Sequence, residues 1–299
     1  MDASAADIRT AGGPSRAVSI GIVIVAMSSF QLGAALAKQL FPLVGPQGAA
    51  LLRIGLSAMI LWGLTTPWRS RFNRSETQSL LVYGIALAAL NSFFYLAVQR
   101  IPLGIAVAID FIGPLAVAIG YSRRWLDGFW VILAACGIAL LFPIGGSVAA
   151  LDPIGVVYCL GSAAAWAVYI LYGQKAGETV PSGRATAIGL GIASLLVLPF
   201  GVAEAGGMLL SWSVLPIGLL VAVLSSALPY NLEMVAMKRL PTRLFGVLMS
   251  LEPALGALFG WLILGEDLTL RQFIAIACVI LASAGATLTA SRVVPATDG

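Results

Sequence analysis

The chain has 299 residues, of which 60% are hydrophobic and only 10% charged, with a formal net charge of +4 and a mean hydropathy of +0.98. Soluble domains carry about a quarter charged residues, so the composition excludes an ordinary water-soluble fold and points to an all-α polytopic membrane protein. Histidine is absent, which removes His-based metal sites, His general bases and the usual His proton relay.

A spanning helix needs about 20 mostly apolar residues, and on that template the sequence predicts ten. A cytoplasmic tail, 1–17, precedes the first, 18–37, which holds Gln31. Its end, Ala35-Leu36-Ala37, mimics a signal-peptidase site, but its length and the nine later spans favour an uncleaved helix. The second, 47–66, carries Arg53, the one basic residue well inside a span. Arg53 either receives a carboxylate through its planar fork or snorkels to the outer surface. The third, 80–99, sets Asn91 and Tyr95 at i, i+4 on one face. The fourth, 102–121, has Asp110 mid-way, and the fifth runs over 128–147. The sixth, 153–172, holds Trp166 and Tyr169, and the seventh covers 184–203.

The eighth, 213–236, contains Pro229, Tyr230 and Glu233. A mid-helix proline frees backbone carbonyls for a ligand or a kink. Glu233 stands five residues, about 7.5 Å, before Lys238, so an inner-rim ion pair with Lys238 or Arg239 competes with a place in a cavity. The ninth, 242–264, pairs Glu252 with Pro253 and carries Gly256 and Gly260 at the G-x-x-x-G spacing of close helix approach. The tenth, 271–290, leads into a cytoplasmic tail, 291–299. Each aromatic residue among these is, taken alone, more often packing or an interface anchor. Cys136, Cys159 and Cys278 lie in apolar runs without C-x-x-C spacing and read as small apolar core residues.

Charge sets the orientation. With the N-terminus inside, 13 of the 17 basic residues fall on inner segments, among them Arg69, Arg71, Arg74, Arg123 and Arg124, while Lys38, Arg100 and Arg271 fall outside. This bias places both termini in the cytoplasm, and it makes the basic balance a sign of topology rather than of nucleic-acid binding.

The chain also repeats itself. "QRIPLGIAVAIDFIGPLAVA" (99–118) aligns with "KRLPTRLFGVLMSLEPALGA" (238–257) at a shift of 139, matching Arg100 with Arg239, Pro102 with Pro241 and Pro114 with Pro253. Two five-span repeats, 18–147 and 153–290, then enter the membrane in opposite senses, an arrangement that puts a binding site near the midplane between them.

Neither a phosphate loop, H-E-x-x-H nor G-x-S-x-G occurs, so an ATP-driven pump is excluded and an enzyme is not expected. No cofactor or metal is expected either. What remains are ionisable groups at membrane depth, which are expensive there and usually face a cavity. Asp110 and Glu252 on partner spans would bind an ammonium, a coupling proton, or both in exchange. A carboxylate stripped of water holds a proton more readily than one in water. The competing reading is an ion-paired structural anchor, with Arg53 as partner.

"SSALPYNLEMVAMKRLPTRLFGVLMSLEPALGALFGWLILGEDLTL", together with "GAALAKQLFPLVGPQG", "PLGIAVAIDFIGPLAVA" and "WAVYILYGQKAG", resembles the bacterial threonine/homoserine exporters of the EamA type, in the drug/metabolite transporter superfamily. The likeness covers nearly the whole chain. It implies ten helices in two inverted repeats and a central cavity lined largely by spans three, four, eight and nine. It also implies export of small amino acids across the inner membrane, against proton entry. Asp110 stands where the resemblance implies glutamate, a shift of the charge by about one methylene. The expected path residues are Asp110, Glu252, Arg53, Asn91, Tyr95, Trp166, Tyr169, Tyr230, Gln31 and Glu233. Another metabolite or drug as cargo, or a non-transporting structural or sensor subunit, are the alternatives.

Overall fold

The computed structural model of the chain describes residues 16–70, 72–120, 125–141, 151–237, 239–240 and 242–289. Residues 1–15 and 291–299 of the expected tails, the fifth span beyond residue 141, and Lys238 lie outside the described residues, while Arg16 and Ala17 already belong to the first helix. Among the described residues every regular element is helical. In chain order these are α1 (Arg16–Gln39), α2 (Phe41–Thr65), α3 (Arg74–Arg100), α4 (Leu103–Asp110), α5 (Ile112–Gly120), α6 (Trp125–Leu141) and α7 (Pro153–Gly177). There follow α8 (Ser182–Ala205), α9 (Leu215–Ala222), α10 (Leu228–Met237), α11 (Thr242–Met249), α12 (Glu252–Leu264) and α13 (Leu270–Thr289). Seven described stretches are long and apolar enough to cross a bilayer. Three shorter apolar ones, Leu103–Val117, Gly128–Leu141 and Leu215–Ser226, occupy the places of the fourth, fifth and eighth expected spans.

Local chemistry explains where helices start and bend. In α2, Gly45 adopts φ 67°, ψ 171°, a left-handed value glycine takes without steric cost. Pro46 follows, so regular helix runs from the position at which the second span was expected. An Asn73/Glu76 capping box opens α3, each side chain accepting the other's backbone N–H at 2.8 Å. Asp152 caps α7 ahead of Pro153, accepting the Ile154 N–H at 2.9 Å.

Three spans are interrupted mid-way. Between α4 and α5 lies Phe111, with ψ at −11°. A π-helical turn, Val223–Ala227, joins α9 to α10. Ser250 and Leu251 separate α11 from α12. Prolines follow each interruption, and each lacks the N–H that would bond four residues back. Pro253 itself sits at the start of α12, where the missing N–H costs little.

The packing is tight because it is built from small residues. α3 packs most extensively on α7, α2 on α8, α6 on α13, and α4 crosses α12. At that last crossing a Cβ added to Gly104 would stand 2.5 Å from the Ala257 Cα, while Gly256 faces Val107 and Gly104. The G-x-x-x-G pair thus marks close approach, as its spacing implied. Large apolar side chains point outward instead: Leu195, Phe200 and Trp261 are 70%, 63% and 58% exposed, a surface suited to lipid and not to water. Cys159 is buried, but Cys136 is exposed and not in the core. In an apolar run either face accepts a small thiol, so the run alone does not tell inside from outside.

Charged contacts gather at one end. Lys38 Nζ at the end of α1 meets Glu266 Oε1 at 2.6 Å and donates to the Ile101 carbonyl at 3.3 Å. Glu266 Oε2 accepts the Leu103 N–H at 2.7 Å, capping α4, which has no local side-chain cap. Nearby Arg100 pairs with Asp152 at 2.6 Å. Glu204, at the end of α8, accepts the Gln47 N–H at 2.7 Å beside the Gly45 bend.

Candidate functional site

A partly open cavity of about 230 Å3 lies where the interrupted helices meet. It has the volume of roughly eight liquid waters at ~30 Å3 each, room for a small metabolite rather than a drug-sized molecule. Asp110, Glu252, Glu233, Arg53, Gln31, Asn91, Trp166 and Tyr169 all line it.

The helix interruptions put the acids there. Asp110 is the last residue of α4, and Pro114, four residues on, has no N–H for the Asp110 carbonyl. Glu252 is the first residue of α12, so the positive end of that helix points at its carboxylate. Glu233 lies one turn after Pro229 on α10 and also faces the cavity. It forms no ion pair with Arg239. Asp110 and Glu252 are only 4% and 5% exposed. Ser162 of α7 lies within hydrogen-bonding reach of Asp110. Glu252 sits in the fields of Glu233, Asp110 and Arg53, with the Gln31 side chain beside it.

Several polar atoms are left over. Asp110 Oδ1, Glu252 Oε2, both amide atoms of Gln31 and the Tyr95 hydroxyl are buried without a hydrogen-bond partner. Buried polar groups are almost always paired in folded proteins; of these residues Asp110, Glu252 and Gln31 line the cavity, and Tyr95 does not. Asn91 differs: its Nδ2 donates to the Leu87 carbonyl at 2.8 Å, which leaves its oxygen for other partners.

Arg53 neither snorkels nor anchors an acid. Its guanidinium carbon lies 4.7 Å from the Phe30 ring centroid and 5.8 Å from that of Tyr95, and Nη2 donates to the Ser225 carbonyl at 3.4 Å. Tyr95 is itself 1% exposed and stands behind the wall, against Phe41 and Phe94. Tyr230 belongs to the α10 backbone, and its side chain lies outside the described residues. Trp166 meets Phe111 edge-on at 5.3 Å, and Tyr169 stacks on Tyr83 at 5.1 Å.

The walls are wider than spans three, four, eight and nine alone. Phe30 and Gln31 come from α1, Arg53 from α2, Trp166 and Tyr169 from α7. Sequence reading missed Phe30, Leu87, Leu90, Phe94, Val107 and Met249, which also line the cavity. Leu87, Asn91 and Phe94 do share a helical face at spacings of four and three, which is the one signal that could have found them.

The carbonyls at the π-turn before Pro229 are already occupied by side chains. Ser29 Oγ donates to the Leu224 carbonyl at 2.7 Å, Ser57 Oγ to that of Ala222 at 3.3 Å, and Arg53 takes Ser225. Here the proline makes a kink held by α1 and α2, not an open ligand site.

Comparison with known proteins places the chain. The profile of the EamA-like transporter family matches residues 153–288. The threonine/homoserine exporter RhtA of Salmonella typhimurium (strain LT2) is 52% identical over 272 residues, covering 91% of this chain and 92% of that protein. The RhtA of Escherichia coli K12 is 52% identical over 274 residues with the same coverage. YwfM of Bacillus subtilis, an uncharacterized transporter, is 26% identical over 248 residues, 78% of this chain and 81% of its own length. A crystal structure with 21% identity superposes with a TM-score of 0.60 over 93% of this chain and 100% of its own, so the fold is shared. The chain belongs to the EamA-like transporter family.

Proposed function

We propose that the protein is a secondary transporter of the bacterial inner membrane that exports small amino acids of the threonine and homoserine type. Proton entry drives it by alternating access. The observation that carries this reading is the cavity: three carboxylates and one guanidinium line a partly open space of about 230 Å3, in a chain 52% identical to named exporters of these amino acids. An α-amino acid brings one cation and one anion. Asp110 and Glu252 serve the ammonium or the coupling proton, and Arg53 serves the carboxylate.

The chain consists of two inverted repeats, 18–147 and 153–290, crossing the membrane ten times with both termini cytoplasmic. The interruptions at Phe111 and Ser250 support this, since they are separated by the same 139 residues as the sequence match. In this orientation the end carrying Lys38, Arg100 and Glu266 faces outward. The two repeats rock about the cavity, exposing it to one side at a time.

Counterflow of radiolabelled threonine and homoserine in proteoliposomes with an imposed pH gradient tests the reading. Glu252→Gln should abolish proton-driven flux while the protein still purifies as a folded species. Wild-type flux with an unchanged pH profile in that variant would remove Glu252 from coupling.

A further inference from the structure

The cavity poses a problem of self-neutralisation. Opposite charges attract strongly where water is scarce, so Arg53 and three nearby acids should collapse into ion pairs and leave nothing for a solute. In the structure they do not. Arg53 forms no ion pair with Asp110, Glu233 or Glu252, and the two ion pairs described, Lys38–Glu266 and Arg100–Asp152, lie elsewhere.

What holds the guanidinium instead is uncharged. Phe30 presents its ring 4.7 Å from the guanidinium carbon, well inside cation–π range. On another side is the Ser225 carbonyl, 3.4 Å from Nη2. That carbonyl is available because residue 229, four positions on, is proline and has no N–H to give it. Its neighbours at 222 and 224 are taken by Ser57 and Ser29, so the kink leaves this carbonyl to Arg53.

We propose that Phe30 is a positioning residue for substrate recognition. With the Ser225 carbonyl it holds Arg53 away from the cavity's acids, so that the guanidinium keeps donors free for the carboxylate of an amino acid and the acids stay free for its ammonium. The site is thereby selective for zwitterions: a solute lacking either end forgoes half of the recognition. This rests on the reading of Arg53 as the carboxylate receptor.

The test uses the full chain in proteoliposomes, with labelled threonine as probe. Unlabelled threonine and the amino alcohol made by reducing its carboxylate serve as competitors. Phe30→Leu keeps apolar bulk but removes the ring face; it should raise the KM for threonine about 2- to 30-fold, the range of a cation–π contact, with little change in maximal rate. Phe30→Tyr, which keeps the face, should restore wild-type KM. The amino alcohol, having no carboxylate, should lose less than threonine in Phe30→Leu, because it forfeits only the acids that Arg53 then engages and not the guanidinium as well. Phe30→Met provides a second ringless side chain if the leucine variant purifies poorly. Equal loss in Phe30→Tyr and Phe30→Leu, or parallel loss for threonine and the amino alcohol, would reduce Phe30 to packing and overturn the proposal. An unchanged KM in Arg53→Gln defeats the assignment of Arg53 itself. A raised KM there with no effect of Phe30→Leu defeats the positioning role alone. Absence of threonine counterflow in the unaltered chain defeats the transport reading and this proposal together.

Discussion

Replacing Gly104 by alanine strikes the crossing of α4 and α12 at its narrowest point. The added Cβ would stand 2.5 Å from the Ala257 Cα, 2.7 Å from its Cβ and 2.7 Å from its N. Ordinary contact begins near 3.4 Å, so the helices must separate by about 0.9 Å. A gap of that size forfeits a quarter to a half of each dispersion contact along the seam, and overpacking of this kind costs about 1–3 kcal/mol. Two of the three close atoms are backbone, so adding Ala257→Gly recovers only part of the loss. Gly21, whose Cβ would meet nothing within 4 Å, is the control: Gly21→Ala should be neutral or stabilise by about 0.5–1 kcal/mol. Thermal unfolding of purified protein in detergent, followed by tryptophan fluorescence, reads the wild type and all three variants. If Gly104→Ala melts with the wild type, or no lower than Gly21→Ala, the crossing is not as tight as described.

Glu204 caps the regular part of α2 through the Gln47 and Gly48 N–H groups. Glu204→Ala should therefore cost about 1.5–3 kcal/mol in the same melts, and Glu204→Gln, which keeps an acceptor, should cost less. Lys38 and Glu266 are part-buried, at 21% and 13% exposed. A double-mutant cycle with Lys38→Met and Glu266→Gln should give a coupling of about 1–2 kcal/mol, between exposed and buried pairs; zero coupling would show the contact to be incidental. The Asp152 carboxyl is held below its ordinary 3.8 by its hydrogen bond from Arg100 first and from the Ile154 N–H next. A carboxyl depressed on folding stabilises the protein above its unfolded pKa and loses that contribution as the pH falls through its folded value. The advantage of wild type over Asp152→Asn in melting temperature should thus be constant above about pH 5 and shrink below about pH 4.

How legible the molecule is in its sequence depends on the range of the interaction. Long apolar runs announce α1, α2, α3, α7 and α8 because lipid demands them, and Pro253 beside Glu252 announces an interruption. Glu233 shows where local reasoning slips. Distance along the axis favoured a partner at the rim, yet the side chain lines the cavity and does not pair with Arg239. Phe30 is invisible for a different reason. In a chain that is 60% hydrophobic, one more apolar residue on a helix carries no mark of facing a cavity rather than a neighbour or lipid. The Lys38–Glu266 contact joins residues 228 apart, and no periodicity encodes a pairing at that separation.

The ties at the end formed by Lys38, Arg100 and Gln47 mostly join one proposed repeat to the other: Lys38 to Glu266, Leu103 to Glu266, Arg100 to Asp152, Gln47 to Glu204. In the proposed orientation that end faces the medium, and these ties would hold the exit shut. A solute can open it only by binding the open form more strongly than the closed one, so an empty carrier stays sealed against the medium. Fastening of this kind would limit leak: what has been expelled would meet a closed door.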